Sequence, residues 1–158
     1  MREMTEQTAL SKLAALCSTG EHCRQDIRQR LLRWGLDDEA QARIMQRLEE
    51  EHYVDDRRFC QAYVHDKVSY DRWGRRKIEL ALRAKGIADD ISRPVLDAVD
   101  DRVYVSALRP LLQSKLRTMK ARDDYDLACK LTRFAMQRGY TMDIIRQCID
   151  IAAAADDE

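Results

Sequence analysis

The 158-residue sequence predicts an all-α fold, with three tandem three-helix repeats forming an elongated, curved array. Three observations carry this expectation. Breakers are scarce, at five glycines and two prolines, while the helix-favouring residues Leu, Ala, Arg, Gln, Glu and Met are plentiful. No tract shows the strict alternation of apolar and polar residues that marks a strand. Three glycines, Gly35, Gly86 and Gly139, stand 51 and 53 residues apart in one recurring setting. A helical pattern ends at the glycine, an apolar residue follows (Leu36, Ile87 or Tyr140), and a second helical pattern begins, as expected of an internal repeat.

The elements follow from the apolar register around those glycines. Ala40, Ile91 and Ile144 stand at one matching position after the glycine. Ile44, Val95 and Cys148 occupy a second, Met45, Leu96 and Ile149 a third, and Leu48, Val99 and Ala152 a fourth. Ahead of it, Leu31, Leu82 and Ala135 match, as do Ile27, Ile78 and Leu131. Steps of three to five residues trace one face of an α-helix, and a glycine suits the left-handed turn that ends one helix before the next. Each repeat also opens with an earlier helix. "TEQTALSKLAALC" places Leu10, Leu13, Ala14 and Cys17 on one face. "RRFCQAYVHDKVSY" does the same with Phe59, Cys60, Tyr63, Val64 and Val68, and "ALRPLLQSKLRTM" with Leu108, Leu112, Leu116 and Met119. The expected repeats are 1–54, 55–104 and 105–158. Each is barely large enough to bury a core alone, so neighbours should share packing. Pro94 breaks the register of the pattern that begins near residue 88. A proline costs about 3 kcal/mol in a helix interior. The helix is therefore expected to start late, with Ser92 as its cap and Asp89 and Asp90 in a turn before it.

The stretch "YVDDRRFCQAY" sets two acids before two arginines. Adjacent carboxylates diverge along a chain, and no third group supports them as an acid–base pair. Directly before an apolar-periodic run, Asp55 or Asp56 reads as a helix N-cap, where negative charge is favoured. Phe59 and Tyr63, four apart, read as core. No phosphate-loop, dinucleotide, zinc-protease or nucleophile-elbow motif occurs, so no catalytic residue, cofactor or metal site is expected. The five cysteines include no Cys-x-x-Cys pair, which points to reduced thiols in a cytoplasmic protein. Cys60, Cys129 and Cys148 fit as small core residues. Cys17, His22 and Cys23 are the one group close enough to suggest a metal or redox sensor. The three histidines, His22, His52 and His65, read as solvated. No signal peptide or membrane-spanning run is evident, so a soluble protein that stays inside the cell is expected; it is also expected to be a monomer.

Net charge is zero, with 28 basic and 28 acidic residues, which argues against a wholly basic, DNA-gripping surface. The charges are nevertheless segregated. Residues 37–56 hold eight acids and two bases, residues 57–86 nine bases and three acids, and residues 109–138 eight bases and three acids. The candidate contact residues are Arg57, Arg58, Lys67, Arg72, Arg75, Arg76, Lys77 and Arg83. A basic ridge of this kind suits a phosphate backbone or an acidic protein groove. A helix-turn-helix reading would send the second helix into the DNA major groove. Here that helix is "LDDEAQARIMQRLEEE" or "ADDISRPVLDAVDD", whose acids phosphates would repel. Sequence-independent contact from the basic helices survives as an alternative.

Residues 48–87 carry Asp55-Asp56, Arg58-Phe59, Tyr63-Val64, Gly74-Arg75 and Lys85-Gly86-Ile87 at fixed spacing. This run resembles the core of the RecX family of recombinase regulators, and the glycine repeat extends the likeness along the chain. The resemblance implies three three-helix units that bind the filament RecA forms on single-stranded DNA. They would lie in its groove and inhibit its ATPase, strand exchange and coprotease activities. It also implies weak, non-specific contact with single- or double-stranded DNA and no chemistry of the regulator's own. Several linked weak contacts along a filament would raise avidity without one dominant pocket.

Overall fold

Aspartate carboxylates begin several of the helices. Asp37 accepts from the Ala40 N–H (2.8 Å), Asp55 from Arg58 N–H (3.1 Å), Asp100 from Arg102 N–H (2.8 Å) and Asp123 from Asp126 N–H (2.7 Å). Each satisfies a first-turn donor that has no intrahelical partner and sets a negative charge at the positive end of the helix. The structure, a computed structural model, describes residues 4–149. Among these the chain forms nine helices and no strand: α1 (Glu6–Thr19), α2 (Arg24–Arg33), α3 (Asp38–Glu50), α4 (Asp56–Ser69), α5 (Arg75–Ala84), α6 (Asp89–Asp97), α7 (Asp101–Leu116), α8 (Asp124–Gln137) and α9 (Met142–Cys148).

The three repeat glycines end α2, α5 and α8 in the same way. Their φ angles are 75°, 76° and 94°, in the region where a side chain is strained. The next residue's N–H turns back to the helix: Leu36 to Leu31 O (3.3 Å), Ile87 to Leu82 O (3.0 Å) and Tyr140 to Ala135 O (3.2 Å). The six-to-one bond of a Schellman cap is thus made three times, each joining an apolar residue to an apolar position in the last turn.

The chain divides into two compact units. One takes the chain up to Tyr63 together with Leu82–Ser92, and the other takes Val64–Ala81 and the chain from Arg93 on. In the first, α1 and α2 both pack on α3. Ala9, Leu13, Ile27, Leu31, Ile44, Met45, Leu48 and Val54 form the core, with Leu10, Ala14, Cys17 and Leu36 against it. In the second, α7 packs on α8 and α9. Val64, Val68, Ile78, Leu96, Tyr104, Val105, Leu108, Leu112, Leu131, Tyr140, Ile144 and Ile145 are buried there. Burying each such side chain contributes about 1.5–3 kcal/mol.

Two expectations are corrected. α6 starts at Asp89, so Asp89 and Asp90 form its first turn, Pro94 lies inside it, and Ser92 is a buried interior residue rather than the cap. Pro94 is tolerated because it and Asp90, the residue whose carbonyl loses its donor, are both exposed, and water can satisfy that carbonyl. α7 begins at Asp101, capped by Asp100, so Tyr104 and Val105 lead its buried stripe ahead of Leu108 and Leu112. Leu116 is its exposed last residue and Met119 falls beyond it. The expected 104/105 boundary therefore falls within α7. Ala152, assigned to the last repeat's apolar face, lies outside the described residues.

Candidate partner-binding surface

The two acids of the opening stretch do separate jobs. Asp55 caps α4, while Asp56 reaches back to accept the Arg24 N–H (2.9 Å) at the first residue of α2. Of the arginines beside them, Arg57 is exposed and makes no ion pair among the described residues. Arg58 is committed to structure: its Nε–H donates to Glu21 Oε1 (2.7 Å) and its NH2 group to the Tyr53 carbonyl in the turn after α3 (3.2 Å). Phe59 is buried and stacks on half-buried Tyr63 with ring centroids 5.5 Å apart. Arg83, the third candidate of this unit, faces Asp89 at 3.4 Å in the open. Nearby, Lys85 pairs with Asp26 (3.4 Å) and sits over the Phe59 ring.

The other five candidates lie in the second unit, grouped by Trp73. Lys67 pairs with Asp71 (3.1 Å). Its ammonium and that of Lys77 stand 4.6 and 4.5 Å from the Trp73 ring centroid, within cation–π reach. Arg75 is bound by Glu79 (2.8 Å) and Asp97 (2.6 Å), whose carboxylates hold its guanidinium still more firmly protonated. Arg76 is exposed, and among the described residues its side chain has no ion pair. Arg72 has φ 55°, a left-handed conformation for a residue with a side chain. Its carbonyl accepts from the Tyr140 hydroxyl (3.0 Å) and Arg138 Nε–H (3.3 Å), and the Asp71 carbonyl accepts from the Arg138 NH2 group (2.6 Å).

This α4–α5 connection also docks by its backbone. Gly74 N–H donates to Arg138 O (2.8 Å) and Arg76 N–H to Gly139 O (3.0 Å), so the first turn of α5 is capped by the turn that ends α8. The approach is so close that a Cβ at Gly74 would overlap the Gly139 carbonyl carbon and the Tyr140 backbone. The sequence alone did not identify Arg138 and Tyr140 as the clamp on this connection. Their partners are backbone carbonyls more than sixty residues away, which no side-chain pattern encodes. The one legible sign was Trp73 with lysines six residues before and four after it.

Cys23 is buried as the N-cap of α2, its thiol pushed up to about 11 by burial, and Cys60 is likewise buried with its thiol pushed up. Among the described residues no three His, Cys, Asp or Glu side chains converge as metal ligands. No described helix is long and apolar enough to cross a membrane. His52 takes a left-handed φ of 63° in the turn after α3 and is exposed, as is His65, while His22 is half-buried.

Known proteins match this architecture. Residues 55–96 match the family model for "RecX, second three-helix domain" and residues 103–149 that for "RecX, third three-helix domain". A protein named regulatory protein RecX from Prosthecochloris aestuarii is 30% identical over 152 residues, covering 95% of this chain and 97% of its own. One of the same name from Chlorobaculum tepidum is 29% identical over 151 residues, covering 96% and 92%. Against the Clostridium botulinum protein of that name, 28% identical over 127 residues, the match covers 79% of this chain and only 59% of the relative. The crystal structure of RecX from Lactobacillus salivarius superposes with a TM-score of 0.80 at 18% identity, covering 94% of this chain and 97% of that one. A second RecX crystal structure gives 0.83 at 19%, covering 92% and 73%, and both likenesses concern the fold. The chain belongs to the RecX family.

Proposed function

We propose that this protein is a non-enzymatic regulator that binds the RecA filament on single-stranded DNA and inhibits its ATPase, strand exchange and coprotease activities. The observation that carries the reading is the kinship along nearly the whole chain with proteins named regulatory protein RecX. The reading includes action in the cytoplasm as a monomer whose three glycine-marked repeats each take part in contact.

The structure sharpens the choice among the basic residues. Arg58, Lys67, Arg75 and Arg83 already face carboxylates, and Lys77 faces Trp73. Arg57, Arg72 and Arg76 have guanidinium groups with no ion pair among the described residues, so a partner meets them without first breaking one. These three are the proposed principal contacts.

The test is a titration of the protein into RecA on single-stranded DNA, followed by ATP hydrolysis. Inhibition is expected at substoichiometric amounts, and an unchanged rate at equimolar protein removes the reading. Reversing Arg57, Arg72 and Arg76 to Glu together should abolish inhibition and leave helicity unchanged. The alternative, a sequence-independent nucleic-acid binder with no recombinase partner, requires tight binding to bare DNA that falls steeply with salt.

A further inference from the structure

A shallow groove in the second unit is lined by Val68 and Ser69 at the end of α4, Arg72 in the following turn, and Arg102, Val103, Ser106 and Ala107 on α7. Its floor is apolar, since Val68 is buried and half-buried Ala107 lies beside it. Val103 is 44% exposed, a large apolar side chain left open to water. Ser69 and Ser106 are exposed at the same groove and supply hydroxyls. Both charged lining residues are arginines. Arg102 shares its charge with Asp100 (3.2 Å), while Arg72 has no ion pair among the described residues.

Arg72 is the informative member. Its left-handed backbone would suit glycine better, and the turn is held there by Tyr140 and Arg138. A strained side chain kept at a groove and left unpaired is a candidate for function rather than for folding.

We propose that this groove is a docking site for a short segment of a protein partner carrying an apolar side chain next to an Asp or Glu. The apolar residue covers Val103 and the floor, and the carboxylate meets Arg72 with help from the serine hydroxyls. The surroundings favour a peptide over nucleic acid. Asp71, Asp100 and Asp101 are exposed and adjoin the lining residues in the chain, so the local charge is mixed and not the continuous basic track that a run of phosphates requires. A single carboxylate needs only Arg72, and an exposed valine adds nothing for a phosphate chain. The partner assayed below rests on the recombinase reading; the groove's ligand chemistry does not.

The test has two arms. In the first, the full-length protein is followed by NMR while titrated with a short peptide centred on Glu-Leu, with Lys-Leu and Glu-Ser peptides and an oligothymidine as controls. Saturable shifts at Ser69, Val103 and Ser106 are expected for the Glu-Leu peptide alone, weakened about tenfold in Arg72→Gly. That variant relieves the backbone strain, so it should remain folded. Absence of saturable shifts, or an equal response to oligothymidine, overturns the proposal. In the second arm, Arg72→Gly and Val103→Asp are titrated into RecA on single-stranded DNA, and each should need about tenfold more protein for half-inhibition. Wild-type potency in both variants also overturns the proposal. A wild-type protein that does not inhibit RecA removes the recombinase reading, and the peptide arm still decides the groove.

Discussion

Replacing Gly74 with alanine should destabilise the protein far more than the same change at Gly35. Gly74 lies outside the left-handed region, so its need for glycine is spatial. A Cβ there overlaps the Gly139 carbonyl carbon and the Tyr140 backbone N and Cα, none of which is a flexible side-chain end that can swing away. Overpacking of this kind costs about 1–3 kcal/mol. The displacement also stretches Gly74 N–H to Arg138 O and Arg76 N–H to Gly139 O, each contributing about 1 kcal/mol. The expected loss is therefore about 3–5 kcal/mol. At Gly35 a Cβ meets nothing within 4 Å and only φ 75° opposes it. That penalty of about 1–2 kcal/mol is partly offset by reduced freedom of the unfolded chain. Urea unfolding followed by circular dichroism measures both variants, and exchange of the Arg76 amide reports the docking locally. If Gly74→Ala loses no more stability than Gly35→Ala, or leaves Arg76 exchange unchanged, the close-approach argument fails.

Three further outcomes are expected. Asp55→Ala and Asp56→Ala should each cost about 1 kcal/mol of unfolding free energy through loss of caps on different helices, and exchange should rise at Arg58 in the first and Arg24 in the second. Arg58→Ala should cost about 2–3 kcal/mol in denaturant titration, because it removes the ion-pair partner of Glu21, whose Oε2 is already buried without a hydrogen bond; Arg76→Ala should shift stability by less than about 0.5 kcal/mol. Tyr104 and Tyr140 have phenols pushed up to about 12 by burial, from an ordinary 10.0. Between those pH values the folded state keeps protons that the unfolded chain has released, so stability falls as pH rises, by about 2 kcal/mol or more per tyrosine. Tyr140→Phe should flatten that fall, and an unchanged alkaline profile in this variant contradicts the assignment.

What could be read from residues alone is what is decided within a few turns of chain. Gly35, Gly86 and Gly139 end helices through bonds spanning five residues, so the three equivalent helix-ending turns could be read from the sequence without any knowledge of packing. That one of Asp55 and Asp56 caps a helix was legible for the same reason, because a cap and its N–H lie three residues apart, and the structure assigns the role to Asp55. The apolar stripes were legible because burial on one face imposes a period of 3.6. Position relative to distant chain was not legible. Asp56 serves a helix thirty-two residues earlier, Arg58 a glutamate thirty-seven earlier, and Arg75 an aspartate twenty-two later. A carboxylate or guanidinium looks the same in sequence whether it faces water or a partner. The eight basic candidates therefore read as one group, and only folding divided those already paired from Arg57, Arg72 and Arg76. Pro94 followed the same logic: its ring conflicts with a helix by local rule, and exposure, a tertiary property, made the conflict tolerable. Gly74 shows the limit most plainly, since its missing side chain answers to another backbone sixty-five residues away.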